Sequence, residues 1–310
     1  MSTEFEKLSV VIPVYNDQEV LDELLKRLTP AVTAICQNYE VILIDDGSRD
    51  KSWAKIEELK QQYENIVAVK LARNFGQQNA IAAGLDQATG DVIVLMDSDL
   101  QDRPEDIHVL VNALFEHNST MAIAQWESRK DSFFKVFVSR LFFFVSDHMT
   151  EIHVKPRLGI FRAMRSSVVR ELKKFPETTA TTISLLYYIG HGYVAVPLKR
   201  DARFAGKSGY NLKKMLQLTL ARLLSFSMLP LRFTTYTGLG LALMSFLLAI
   251  FWIIRKLILG APTGWTSLIV VTLFLFGLNF AFLGILGEYI GKVFVEVKRR
   301  PKYVVDRIEK

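Results

Sequence analysis

Between Leu8 and Asp102 the chain repeats one pattern that few folds accommodate. Short β-branched runs alternate with amphipathic stretches of helical period. Leu8 to Val14 reads as a strand and is followed by Tyr15, Asn16 and Asp17. A helical pattern then runs from about Glu19 to Ile35, with Val20, Leu21, Leu24, Leu25 and Leu28 on one face. Tyr39 to Ile44 is a second strand, ending in Asp45-Asp46-Gly47-Ser48, and a helix follows to about Tyr63. Ile66 to Leu71 is a third strand; after Arg73-Asn74-Phe75-Gly76 a helix covers about Gln77 to Gln87. Such alternation predicts an α/β fold: a mostly parallel sheet with helices on both faces.

The fourth run, Gly90 to Asp102, reads GDVIVLMDSDLQD. Asp91 to Met96 is apolar and β-branched, as suits a strand buried on both faces of a parallel sheet. Asp97, Asp99 and Asp102 arrive where that strand ends. Open α/β sheets bind ligands outside the carboxyl ends of their strands, so these acids are placed to reach one. Asp97 and Asp99 are two apart, so in extended backbone they point the same way. Their oxygens are hard ligands suited to Mg²⁺ or Mn²⁺, which usually also hold substrate phosphates. A lone D-x-D is more often a solvated acidic loop; what reverses that reading is the convergence of several polar strand ends on one edge.

Past this region the pattern loosens. Pro104 to Glu116 reads as a helix, Thr120 to Trp126 as a strand, Arg157 to Met164 as another, then a helix from Ser166 to Lys174 and a last strand from Tyr193 to Leu198. Phe133 to Val145 is very apolar but holds Lys135 and Arg140. It fits equally a helix lying in a membrane interface and a core helix with snorkelling cations. Asn211 to Leu229 has Leu and Met at helical spacing among Lys213, Lys214 and Arg222, an amphipathic interfacial helix ended by Pro230.

Two uncharged runs, Thr235 to Ile254 and Thr266 to Gly287, are each long enough to span a bilayer. They explain why half of the 310 residues are hydrophobic. Arg222 and Arg232 precede the pair, and Lys292, Lys298, Arg299, Arg300 and Lys302 follow it, against Arg255 and Lys256 in the connector. The positive-inside rule therefore expects a two-helix hairpin with both ends cytoplasmic. The net charge of +6 lies largely beside these apolar segments, which points to anionic lipid and not to nucleic acid. A single cysteine, Cys36, excludes an internal disulfide and fits a reducing compartment. The first residues, MSTEFEKLSVVIPVYN, lack a basic n-region and a long apolar core, so no signal peptide is expected. The expected domains are a catalytic domain over 1–210, the amphipathic helix over 211–232, the hairpin over 233–290 and a basic cytoplasmic tail over 291–310.

The motifs Val11-Ile12-Pro13-Val14-Tyr15-Asn16, Ile44-Asp45-Asp46-Gly47-Ser48, Arg73-Asn74-Phe75-Gly76-Gln77 and Met96-Asp97-Ser98-Asp99-Leu100-Gln101-Asp102 together resemble glycosyltransferase family 2. The likeness is to its polyprenyl-phosphate branch and extends through Arg203 to Tyr210, Leu229-Pro230-Leu231-Arg232, Leu286 to Gly291 and Arg300-Pro301-Lys302-Tyr303. It implies a GT-A (Rossmann-like) catalytic domain and inverting transfer of sugar from a nucleotide-sugar, a UDP-sugar first, to undecaprenyl or another polyprenyl phosphate. It implies Mg²⁺ or Mn²⁺, a homotetramer, and a bacterial inner-membrane enzyme whose catalytic domain is cytoplasmic. By position, Pro13, Tyr15, Asp46 and Asp97 would surround the nucleoside, with Asp17 where relatives more often have Glu. Asp99, with Asp97, would hold the metal, and Arg73 and Gln77 would lie near the nucleotide or sugar. Arg162, Arg200, Arg203 and Ser208 would meet the acceptor phosphate, and Asp97, Asp99 and Arg162 form the catalytic set. Guanidinium groups suit that task because they bind two oxygens at once.

Two departures bear on the sugar. Hexose-transferring relatives have Gly-Asp-Phe-Arg where this chain has Gly159-Ile160-Phe161-Arg162, and an N-R-F-x-R-type run where it has Glu177-Thr178-Thr179-Ala180-Thr181. Both lean towards a modified or amino sugar, with glucose or mannose as the alternative. Two other functions are weaker. A processive polysaccharide synthase resembles a group with Gln-x-x-Arg-Trp, and none of the four tryptophans has that context. A non-catalytic nucleotide-binding membrane scaffold would have little use for acids and phosphate-binding arginines together.

Overall fold

The computed structural model describes residues 5–126, 158–177, 180–189, 192–201, 229–259 and 264–310. The expected interfacial helices at Phe133 to Val145 and Asn211 to Leu229 lie outside these residues, Leu229 excepted, as do Arg203 and Ser208. The chain divides into two compact units, Met1–Met215 with Arg300–Lys310, and Leu216–Arg299.

The first unit is built on an eight-stranded sheet. Its elements are β1 (Leu8–Val14), α1 (Leu21–Thr33), β2 (Tyr39–Asp45), α2 (Ser52–Gln62), β3 (Ile66–Leu71), α3 (Gln77–Gln87) and β4 (Val92–Leu95). There follow α4 (Ile107–Glu116), β5 (Met121–Trp126), β6 (Leu158–Arg165), α5 (Ser166–Leu172), α6 (Thr182–Tyr188) and β7 (Tyr193–Leu198). The last strand, β8 (Val305–Glu309), lies at the far end of the sequence.

The spatial order is β7-β5-β6-β4-β1-β2-β3-β8. β1 pairs in parallel with both β2 and β4, and β2 with β3, giving the parallel core that the strand–helix alternation predicts. Every residue of β1 and β4 is buried, because helices cover both faces of a doubly wound sheet. β6 runs antiparallel between β4 and β5, and β7 is parallel to β5. The order turns back between β1 and β4, and crevices open at such switch points, outside the carboxyl ends of the strands.

The C-terminal residues depart from the expected tail. Val305–Glu309 adds to β3 as an antiparallel edge strand. An open edge presents unpaired backbone groups, and a short strand rich in charge covers it. The adjoining residues fasten it. Ala72 N–H donates to Val304 O at 2.9 Å, and Tyr303 donates to Asp86 Oδ2.

The second unit contains two long helices, α7 (Leu229–Leu259) and α8 (Trp265–Val297). Within α8, Phe274–Val297 is long and apolar enough to cross a membrane, with none of that stretch buried. Within α7 the apolar stretch Thr234–Leu248 is shorter. Among the described residues, then, one helix and not the expected two meets the length and composition of a span. Leu268, Val271, Phe274, Phe276, Phe280 and Leu283 of α8 stand exposed, a larger apolar face than an ordinary soluble surface carries.

Candidate active site

Four loops leave the carboxyl ends of β1 to β4 and meet at the switch point. The β2 loop is the most tightly specified. Gly47 takes φ +64°, and a Cβ there would stand 2.4 Å from the backbone carbon of Arg73, so the β2 and β3 loops touch through a position only glycine fills. Beside it Asp46, almost fully buried, accepts the N–H groups of Phe75 at 2.7 Å and Gly76 at 2.9 Å, and Asn74 Nδ2 donates to its carbonyl at 3.1 Å. Burial raises the Asp46 carboxyl above its usual range, and those two N–H donors oppose the rise. Asp46 thereby shapes the segment carrying Arg73 and Gln77. Arg73 lies over the Phe75 ring at 4.2 Å.

The β1 loop carries Tyr15, 41% exposed at the mouth of the crevice, and Asp17, whose Oδ2 accepts from Ser98 Oγ at 2.5 Å. That bond ties the β1 loop to the β4 loop across the switch point. Pro13 is buried in β1 opposite Ile44, one residue inside the strand end.

The β4 loop holds the acids. Asp97 Oδ1 accepts from Gln77 Nε2 at 2.8 Å, and its Oδ2 lies 3.8 Å from Arg200 Nη2. Arg200 Nε is 3.5 Å from Asp102 Oδ1. Asp99 Oδ1 accepts the N–H of Gln101 at 3.1 Å. Asp102 is 1% exposed. Burial, reinforced by Asp97, pushes its carboxyl up to about 7, while Arg200 pulls the other way. Arg200 follows β7, and Asp201 N–H donates to Gln101 O at 3.1 Å, so the β7 end is pinned to the acidic loop.

Arg162 sits in β6 opposite Leu95, the last residue of β4. It is 0% exposed; Nε donates to Ile160 O at 2.9 Å and Nη2 to Gly159 O at 2.8 Å, with the guanidinium 5.2 Å from the Tyr187 ring centre. Its buried Nη1 has no hydrogen-bond partner among the described residues. A buried cation held by carbonyls and a ring favours an anion nearby.

The structure thus joins Gln77, Asp97, Asp102 and Arg200 in one hydrogen-bonded and ion-paired set, while Asp17 and Asp46 hold the adjoining β4 and β3 loops through Ser98 and through the N–H groups of Phe75 and Gly76. The sequence reading gave Ser98 no place in the site and gave Asp102 no role beyond being an acid able to reach a ligand. Asp102 was legible as the third acid of its stretch. Ser98, between two aspartates, carries no signal of its own.

The glycosyl transferase family 2 profile matches residues 9–173. A prophage bactoprenol glucosyl transferase homolog of Escherichia coli K12 is 34% identical over 98% of this chain and 100% of its own. An undecaprenyl-phosphate 4-deoxy-4-formamido-L-arabinose transferase of Edwardsiella ictaluri is 34% identical over 97% of this chain and 94% of its own. Glucosyl-3-phosphoglycerate synthase from Mycobacterium tuberculosis, solved with Mn²⁺, UDP and phosphoglyceric acid, shares the fold at a TM-score of 0.53. That likeness covers 71% of this chain and 78% of the other, with 19% identity. The sheet with its parallel core is therefore the GT-A, Rossmann-like fold, and the chain belongs to glycosyl transferase family 2 and is a glycosyltransferase.

Proposed function

We propose that this glycosyltransferase moves a sugar from a UDP-sugar to undecaprenyl or another polyprenyl phosphate with inversion, making a lipid-linked sugar for cell-envelope glycan or lipopolysaccharide modification. One observation carries the reading. Relatives named for transfer to bactoprenol and to undecaprenyl phosphate align over nearly the whole chain, well past the family domain at 9–173 and through the two long helices.

In this reading Pro13, Tyr15, Asp17, Asp46 and Asp97 surround the nucleoside, and Arg73 and Gln77 lie near the nucleotide or sugar. Asp97 and Asp99 are the protein's ligands for Mg²⁺ or Mn²⁺. Among the described residues no three His, Cys, Asp or Glu side chains converge on one point. Two carboxylates fit a cation that completes its shell with diphosphate oxygens and water. Bound there, it would offset charge on the departing diphosphate.

Arg162, Arg200, Arg203 and Ser208 receive the acceptor phosphate. One of its oxygens attacks the anomeric carbon, and the bond to the nucleotide's β-phosphate oxygen breaks. The nucleoside diphosphate leaves with the electron pair. A phosphate monoester has a second pKa of about 6, so it arrives largely deprotonated and needs no protein base. Ile160 in place of an acid agrees with this.

The membrane arrangement is a two-helix hairpin in a bacterial inner membrane, catalytic unit cytoplasmic, assembled as a homotetramer. The hairpin is supported by the positive-inside pattern, by α8 and by the return of the chain to the catalytic sheet as β8, whereas the homotetramer and the bacterial inner membrane rest on the family resemblance alone.

Ile160 and the run Glu177-Thr178-Thr179-Ala180-Thr181 favour a modified or amino sugar; glucose or mannose is the second reading, and the glucosyl-named relative at equal identity keeps glucose within it. Purified protein incubated with undecaprenyl phosphate, Mn²⁺ and a panel of UDP-sugars, read by mass, tests both. A lipid-linked product from one donor is expected. No product with any donor, despite metal-dependent UDP binding, would overturn the acceptor assignment.

A further inference from the structure

Trp126 ends β5 opposite Leu198 of β7, two residues before Arg200. Its ring lies on Gly159, at the start of β6, where a Cβ would stand 2.6 Å from Trp126 Nε1. The Arg200 guanidinium lies over the same ring, 5.1 Å from its centre. Gly159 also acts through its carbonyl, which accepts Arg162 Nη2 at 2.8 Å. One glycine thus bears the tryptophan that supports Arg200 and the oxygen that holds Arg162.

We propose that Trp126, seated on Gly159, is a positioning residue that sets Arg200 relative to Arg162 for gripping the acceptor phosphate. The inference rests on the acceptor role proposed above for these arginines. Three local features make the arrangement specific. The absence of a side chain at Gly159 lets the indole approach the backbone. The parallel register of β5 and β7 then delivers Arg200 above the indole. Finally, Arg200 reaches from that seat to Asp97 at 3.8 Å and Asp102 at 3.5 Å. A long arginine would otherwise sample many rotamers, and ordering it beforehand lowers the entropy lost when phosphate binds. Tryptophan is the aromatic best suited to hold a guanidinium by its face.

The test uses the full-length chain in detergent, with direct binding of undecaprenyl phosphate and, separately, of UDP with Mn²⁺. Trp126→Ala is expected to weaken undecaprenyl phosphate about fivefold, the scale of a partly desolvated cation–π contact. Trp126→Phe, which keeps a ring face, should restore affinity to within about twofold. Gly159→Ala should weaken it in the same direction as Trp126→Ala by displacing the indole. UDP binding in all three should stay within about twofold, which also reports that the domain is folded. The decisive comparison is the double variant. Trp126→Ala combined with Arg200→Gln should bind no more weakly than Arg200→Gln alone, because Trp126 acts through Arg200. Losses that multiply, or unchanged affinity in Trp126→Ala, would overturn the inference. Were Trp126→Ala not to fold, Trp126→Leu with and without Arg200→Gln makes the same comparison. If Arg200→Gln leaves the affinity unchanged, Arg200's acceptor role falls and this inference falls with it. If Arg200→Gln weakens binding and Trp126→Ala does not, only the inference falls.

Discussion

Asn at position 99 would keep the side chain's size and an acceptor oxygen for the Gln101 N–H, removing the charge and one of the two carboxylate oxygens. A divalent site loses both a ligand and attraction by that change. Asp99→Asn is therefore expected to fold and bind lipid normally while losing metal-dependent transfer. The loss should exceed the roughly 10–100-fold typical of removing a supporting residue around a metal. Turnover near wild type at saturating Mn²⁺ would remove Asp99 from the metal site. Asp102 makes a different prediction. Its carboxyl titrates at about 7 in the fold, against 3.8 for an ordinary aspartate. The folded state therefore holds this proton more tightly, and the contribution of Asp102 to stability is greatest at low pH and declines as pH rises from about 4 through about 7. Asparagine imposes no such loss. In metal-free buffer with chelator, the melting temperature of Asp102→Asn minus that of wild type should grow from about pH 5 to about pH 8. A constant difference would show that Asp102 is ionised throughout. The acids were legible in the sequence because they follow a buried strand. Their partner Arg200 was legible only as a group for the acceptor phosphate, since a pairing about a hundred residues away leaves no local pattern.

The strand–helix alternation of the first hundred residues was read nearly to the residue, because burial on both faces and helix amphipathicity leave strong periodic signals. β8 was missed for the opposite reason. Val305, Asp306, Arg307, Ile308 and Glu309 are too few and too charged to signal a strand, and edge strands tolerate that composition. Its attachment predicts its importance. Val304 O receives the N–H of Ala72, directly before Arg73, so β8 braces the base of the loop that wraps Asp46. Tyr303→Phe deletes the hydroxyl that donates to Asp86 and should cost about 0.5–1.5 kcal/mol, read as a lower melting temperature of the catalytic unit. Removing residues 304–310 uncovers the β3 edge and should in addition weaken UDP binding. UDP affinity untouched by that truncation would show that the β3 loop holds itself without β8.

At the scale of the whole chain, β8 constrains the membrane topology more firmly than charge counting does. The polypeptide leaves the catalytic unit at Met215 and re-enters it at Arg300, and its last strand pairs with β3 of the sheet that β1 belongs to. A sheet lies on one side of a bilayer. Whatever Leu216–Arg299 does in the membrane, it must therefore cross an even number of times. Phe274–Val297 has the length and composition of one crossing, and if it crosses, a second crossing must accompany it. Among the described residues α7 is the other helix of this unit, at about 46 Å for its 31 residues, and it exceeds a hydrocarbon core of about 30 Å. Its apolar stretch, Thr234–Leu248, is shorter than a standard span, and a short span is accommodated by local thinning and by snorkelling side chains. On this hypothesis, tags at Met1 and after Lys310 are protected in sealed cells, while a tag near Pro262, between the helices, is accessible from outside. Protection at all three positions would make the second unit a surface-bound pair of helices that does not cross. Accessibility at Lys310 with protection at Met1 would mean an odd number of crossings, incompatible with β8 in the sheet.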